Sequence, residues 1–554
     1  MVSVFMTMKA RFSLVTLFML LSACSSMAWL NNASPEKSPI DQREYRYLQL
    51  DNGLNVLLIS DMDAQKAAAS LDVFVGSAQN PENREGLAHF LEHMLFLGTD
   101  KYPDAGAYQR FISENGGSHN AYTSFEHTNY FFDIKESAFE PTLDRFSRFF
   151  IAPAFEAQYV EREKHAVNAE YRSGIKSDER RQLDVLREIV NPAHPFSKFS
   201  VGNLQTLSDA KGSVRDEMIK FYNTYYKARN MRLVVLAPRE LDRLEEIVRG
   251  DFIEVPDADV PKRGYAQPLF TASELGQWIE IVPEKEKNSL SLLFPLPDQL
   301  LDYQDQPLNI IGHVLGHEGE HSLFAYLKSK NWIDGLVAGQ ALSYTGVTVF
   351  SLSMDLTTEG QKHKQDIVQA VFAAIEQVQE SAIPRWVFDE VKQISELNFA
   401  YVDKSGETQA VMNLSNAMHY YQPRDILKAP YMYQQYRPEK MQTLLSQLKP
   451  ENAIVLDISP KANAEKRSRY YDTPYSRRAF SAEELAAWQN LSLIADIQLP
   501  ELNIFLPQNT KIVKAAADQQ DMPPQKIELD QSTGSQSFEL WYKGIDLFQQ
   551  LPSK

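Results

Sequence analysis

Cysteine is almost missing from this chain: 554 residues carry one, Cys24. Internal disulfides are therefore excluded, and the fold must stand on its hydrophobic core. Positive charge is also short. Fifty-six Lys and Arg stand against 73 Asp and Glu, a net charge of −17. That balance argues against a nucleic-acid scaffold and favours basic ligands only weakly. No internal apolar run reaches the roughly 18 residues that would mark a spanning helix. The length allows roughly three or four domains.

The lone cysteine falls in an N-terminal targeting pattern. Lys9 and Arg11 give a positive region, residues 12–21 (FSLVTLFMLL) a short apolar one, and Leu21-Ser22-Ala23-Cys24 follows. This resembles the lipobox of bacterial lipoproteins, in which the cysteine is acylated. It implies a signal peptide over 1–23, lipidation at Cys24, and a periplasmic protein anchored in the outer membrane, Ser25 standing where Asp would retain it inside. The other reading is an ordinary secretory signal with a chance cysteine. Residues 24–44 are small and polar, a tether.

Residues 87–97 read LAHFLEHMLFL, and only His89, Glu92 and His93 are not apolar. A helix apolar on every side is buried. Imidazoles and a carboxylate are costly there unless something compensates them. The histidines are four apart and share one helical face, with Glu92 beside it. This H-x-x-E-H spelling is the reverse of H-E-x-x-H: two zinc-binding imidazoles and a carboxylate next to the metal. The plainer reading is two core histidines satisfied by backbone groups, and a third ligand decides between them.

A catalytic zinc takes three protein ligands and leaves one position open. On the predicted helix 155–172, Val160, Val167 and Tyr171 mark an inner face. Glu163 and Glu170 border it, two turns apart.

HFLEHMLFLGT followed by EREKHAVNAEYR, with Glu170 77 residues after His93, resembles the pitrilysin/insulin-degrading-enzyme (insulinase) family of inverted zinc metallopeptidases. GGSHNAYTSFEHTNYFF (116–132), NPAHPFSKFSVGN (191–203) and GHEGEHSLFAYLKSKNWIDGLVAG (316–339) agree with it. The resemblance implies one zinc ion per chain on His89, His93 and Glu170. It makes Glu92 the general base and Glu163 a carboxylate orienting a ligand histidine. Asn120 and Ala121 would pair with an extended peptide by strand addition. His313, His317 and the strand Leu336-Val337-Ala338 would hold the substrate's N-terminal end. His313, His317 and His321, beside Glu318 and Glu320, also allow a second metal site, although Gly316 and Gly319 weaken a continuous helix there.

The chain order predicts an α+β protein of two duplicated domains, each a mixed, mostly antiparallel sheet packed by helices. In the first (45–265), strands lie near 54–60, 69–77, 118–135 and 231–238, with helices near 85–97, 104–114 and across 138–226. In the second, inactive copy (266–505), strands lie near 278–284, 288–295, 335–341, 347–357 and, last, 452–459. Helices there span 306–330, 363–381 and 385–402. A linker (506–536) and the start of a third domain (537–554) follow. By resemblance this is the N-terminal half of a long-form member. Three functional readings stand: a zinc endopeptidase whose other half is a separate chain, a half that binds zinc and peptides but turns over poorly, and a peptide-binding or assembly subunit. Partners would be peptide substrates, a C-terminal-half chain or a second copy, and the membrane through the lipid anchor alone.

Overall fold

The computed structural model describes residues 34–507 except 490 and 492, together with a short strand pair at 525–527 and 540–542. The signal peptide, Cys24, the first part of the tether, and nearly all of the linker and third-domain start lie outside the described residues. Residues 34–43 are held rather than loose: the buried Ser38 hydroxyl donates to the Ala400 carbonyl, and Glu36 N donates to Arg424 O.

The first sheet takes β1 (Glu44–Gln49), β2 (Asn55–Ser60) and β3 (Ala67–Val73). The chain then forms α1 (Leu87–Leu95), α2 (Ala107–Glu114), the hairpin β4 (Ser118–Thr123) and β5 (Thr128–Ile134), α3 (Phe139–Ile151), α4 (Ala157–Ser173), α5 (Asp178–Ile189) and α6 (Val214–Tyr225). Strand β6 (Met231–Ala237) and α7 (Leu241–Phe252) close the unit. The strand order is β1-β2-β6-β3-β5-β4, antiparallel except for the β2–β6 pair. One face carries the main core, into which α1 sinks Leu87, Phe90, Leu91, Met94 and Leu95, none more than 1% exposed.

The second sheet repeats the plan. It uses β7 (Gln277–Ile281), β8 (Ser289–Leu296), α8 (Pro307–Leu315), α9 (Leu323–Ser329), β9 (Ile333–Tyr344) and β10 (Val347–Leu356). Then come α10 (Lys364–Ser381), α11 (Arg385–Ala400), α12 (Glu407–Ala417), α13 (Pro438–Leu445), β11 (Ile454–Ile458), β12 (Lys466–Arg467), β13 (Pro474–Ala479) and α14 (Ala482–Gln489). Its order is β12-β13-β7-β11-β8-β10-β9, with β7–β11 the parallel pair. Strand for strand, β13-β7-β11-β8-β10-β9 matches the first sheet, except that the partner of the opening strand comes last in the chain instead of first. The duplicated α+β architecture is thus present, and β4 and β9 are its equivalent edges.

Two details depart from the sequence reading. Strand β1 begins where a tether was expected to end, and β13 follows the strand expected to be last. As its glycines led us to expect, the helical span 306–330 is not continuous: it breaks at Gly316 into α8 and α9, with His321 at a positive φ of 61° between them. No helix among the described residues is long and apolar enough to cross a membrane.

The two units share their cores. Helix α12 packs Ala410 and Val411 on the outer face of the first sheet, against Ala68, Val234 and Leu236. In return, Val185 and Ile189 of α5 and Phe196 pack on Ile279, Ile281 and Ile454 of the second sheet.

Candidate active site

Helix α1 enters the core from Gly86, whose φ of 87° only glycine adopts cheaply. A Cβ there would stand 2.3 Å from the Gly202 Cα, so two glycines let the 199–202 loop lie directly on the helix start. The Asn80 side chain accepts from Ala88 N at 2.8 Å and satisfies one of the helix's first amides. The loop's close approach puts the Val201 carbonyl 2.7 Å from His89 Nδ1. A carbonyl only accepts, so Nδ1 carries the hydrogen and Nε2 keeps its lone pair.

That lone pair faces α4. His89 Nε2 is 3.2 Å, and His93 Nε2 3.6 Å, from the same oxygen, Oε2 of Glu170. The two rings stand perpendicular with centroids 4.8 Å apart. Behind His93, Glu163 Oε2 lies 3.5 Å from Nδ1, and Arg162 donates to the other Glu163 oxygen at 2.9 Å. Glu163 thus stands outside the ring pair, on the side that sets which nitrogen His93 presents. One nitrogen from each ring and one Glu170 oxygen lie within 4.8 Å of one another. A tetrahedral ion with bonds of about 2.0–2.1 Å spaces its ligands roughly 3.3–3.4 Å apart, so this donor set fits zinc.

Glu92, one residue before His93, is buried. Burial raises its carboxyl above the ordinary value, while His89, the Thr123 hydroxyl bond and His93 pull the other way. Thr123 on β4 donates to Glu92 Oε2 at 2.5 Å. Burial alone would depress His93, but hydrogen bonds to Glu163 and Glu170 push it up to about 9. Glu170 is held well below the usual carboxylate range by the two histidines. The site thus gathers negative charge around two rings, as a cation site should.

These groups line one cavity of about 530 Å³, which also takes in Asn120, Ala121 and Thr123 of the sheet-edge strand β4. The structure therefore brings His89, Glu92, His93, Glu170, Asn120 and Ala121 together, with Glu163 just behind. It does not bring in the second set. His313 and His317 lie on and just after α8, which packs against β9 with Leu336, Val337 and Ala338. Val337 is 70% exposed on that edge. His317 Nδ1 accepts from Gly319 N at 3.0 Å, and among the described residues the three histidines do not bring their ligand atoms together. Sequence reasoning missed Thr123 and the Val201 carbonyl. Both sit in stretches noted only as whole motifs, and their partners are far away in sequence.

A second cluster, Asp72, His127 and His419, also has its ligand atoms close together. Here the contacts are hydrogen bonds. His127 Nδ1 is 2.6 Å and His419 Nε2 3.0 Å from Asp72 Oδ1, shorter than ligand spacings around a metal. Arg263 can only donate to His419 Nδ1 (3.4 Å), so His419 turns its Nε2–H to Asp72. Asn129 donates to the other Asp72 oxygen at 2.9 Å, and Tyr420 bonds His127 Nε2. The network joins the two sheets' units and is satisfied by its own members.

Three sequence families cover most of the chain. Residues 55–197 match "Insulinase (Peptidase family M16)", 213–395 "Peptidase M16 inactive domain", and 399–553 "Middle or third domain of peptidase_M16". Insulin-degrading enzyme of Homo sapiens is 38% identical over 518 residues, which are 92% of this chain and 50% of that protein. The crystal structure of pitrilysin superposes with a TM-score of 0.86 at 31% identity, over 90% of this chain and 53% of that one. The first half of the periplasmic protease PqqL from Escherichia coli shares the fold, with a TM-score of 0.64 at 17% identity, over 84% of this chain and 99% of that one. The chain spans about half the length of the curated relatives it matches. With the inverted motif, its distant carboxylate and the duplicated sheets in place, the chain belongs to the insulinase family, peptidase family M16.

Proposed function

We propose that the chain is the zinc-binding, catalytic part of a metalloendopeptidase acting on peptides or small proteins. One observation carries the reading: a zinc-sized set of donors, a buried carboxylate and an open sheet edge share one cavity. His89, His93 and Glu170 would hold the ion, with Glu163 fixing the His93 ring. When bound, zinc supplies a Lewis acid that lowers the pKa of its water to about 7 and polarises a carbonyl.

The chain's own groups do the rest. Strand β4 is the edge of its sheet, so every second residue turns its backbone groups outward, and around Asn120 and Ala121 an extended peptide adds as a further strand. Glu92, aimed by Thr123, takes a proton from the attacking water. Its raised pKa suits it to deliver that proton to the leaving amine. The equivalent edge β9, at Leu336-Val337-Ala338 with His313 and His317 alongside, would hold the peptide's N-terminal end.

Metal analysis and peptide cleavage on one sample test this. Glu92→Gln should keep about one zinc per chain and lose cleavage by about 100-fold or more. Undiminished cleavage, or wild-type protein without zinc, would refute it. The half-length match favours a second reading, in which this chain binds peptides but turns over poorly until a further half, a separate chain or a second copy, joins it. Cleavage that appears only on adding the later half of a relative would support that reading.

A further inference from the structure

The wall of the cavity opposite β4 is not used by the mechanism, and it is cationic in a protein that is strongly acidic overall. Helix α5 turns one face to the cavity, since Arg180, Leu183, Asp184 and Arg187 recur at helical spacing and all line it. Arg180 spends one arm on the metal site: its Nη2 donates to Glu170 Oε1 at 3.3 Å, the oxygen turned away from the histidines. Arg187 is anchored by donation to the Lys198 carbonyl and the Ser200 hydroxyl, both at 2.8 Å. What remains is unsatisfied. Arg187 Nε is buried without a hydrogen-bond partner among the described residues, and Arg180 Nη1 and the Tyr471 hydroxyl, buried beside it, make no well-formed bond and have only each other to face. Asp184 offsets part of the Arg187 charge, but its Oδ2 is engaged by the Tyr470 and Tyr471 amides at 3.1 and 2.8 Å.

We infer that Arg180, with Arg187 and Tyr471, forms a subsite for a carboxylate-bearing substrate residue, Asp or Glu, flanking the scissile bond. The inference rests on the peptidase reading, which places the substrate in this cavity. Three points support it. A buried donor left unpaired is costly, and an arriving carboxylate satisfies several at once. Burial pushes the Arg187 guanidinium below its ordinary value, so an added anion there relieves a charge the fold holds at a cost. Position follows from Glu170: one of its oxygens faces the histidines and the other touches Arg180. The subsite is therefore one carboxylate's width from the reacting centre, and the residue it reads is next to the bond cut. Leu183 lies between the two arginines and suits the methylenes of such a side chain.

The test uses the full chain as the zinc-loaded Glu92→Gln variant, which keeps peptides intact. Short fluorescent peptides, identical except for Glu or Gln at one flanking position on either side of the scissile bond, are titrated by anisotropy. At one position Glu should bind about tenfold more tightly than Gln, and salt should erode the difference. Adding Arg180→Met should bring the pair to near-equal affinity. Equal affinity at every position, including no binding of any peptide, overturns the subsite. So does a Glu preference that survives Arg180→Met together with Arg187→Met. Zinc content of the same samples tests the peptidase reading separately, so the two failures are distinguishable.

Discussion

At the residue scale the clearest energetic signature lies outside the cavity. His419 is fully buried, and burial pushes its pKa down to about 3, with the Asp72 bond offsetting only part of this. In the unfolded chain it titrates near 6.5. As pH falls below about 6.5 the unfolded chain takes up a proton that the folded one refuses, so stability is lost progressively down to about pH 3. His419→Gln should flatten that slope while costing about 1–3 kcal/mol at neutral pH, because Asp72 loses a donor. Urea midpoints followed across pH in both proteins check it. Parallel slopes would remove His419 as the source. Nothing in the sequence around His419 announces this role, because its partners stand on β3 and in the β4–β5 turn, hundreds of residues earlier.

At the scale of elements, the helix carrying His89 and His93 depends on a loop that binds no metal. Gly86→Ala would drive a methyl into Gly202, displace the loop and remove the Val201 carbonyl from His89 Nδ1. Zinc affinity should fall by about 10- to 100-fold with all three ligands unaltered, the range seen for lost outer-shell partners. Competition with a zinc chelator measures this, and wild-type affinity would show that the loop does not set the ring. The elements legible in the sequence were those whose pattern is local. The apolar run around HFLEH gave α1, and the valines at helical spacing gave α4 with its two glutamates. Strand β1 went unread, the first strand being expected near 54–60, because Tyr45 and Tyr47 turn outward to α12, a surface no local pattern records. Strand β13, PYSRRA, has too few apolar residues to alternate, and it is a strand because β7 offers it an edge. Glycine at 316 ends α8, as its low helix propensity led us to expect despite the histidine spacing.

At the scale of the whole molecule, the two similar units are not independent beads. Each lends helices to the other's sheet: α12 covers the first, and α5 with Phe196 covers the second. Cutting the chain at the boundary the sequence suggests, after 265, would strip α12 from Tyr45, Tyr47, Leu57, Ile59, Val234 and Leu236, all now buried. Exposing one large apolar side chain costs about 1.5–3 kcal/mol. Six together come to about 9–18 kcal/mol, as much as the roughly 5–15 kcal/mol that holds a typical domain. Residues 34–265 made alone should therefore fail to give a folded monomer, and should instead aggregate or bind a hydrophobic dye. Residues 34–507 should unfold in one calorimetric transition. A monomeric, cooperatively folding 34–265, or two separated transitions in the longer chain, would show that the shared faces are incidental contacts. In that case the cavity's α5 wall, which is held from behind by the second sheet, would not owe its position to it.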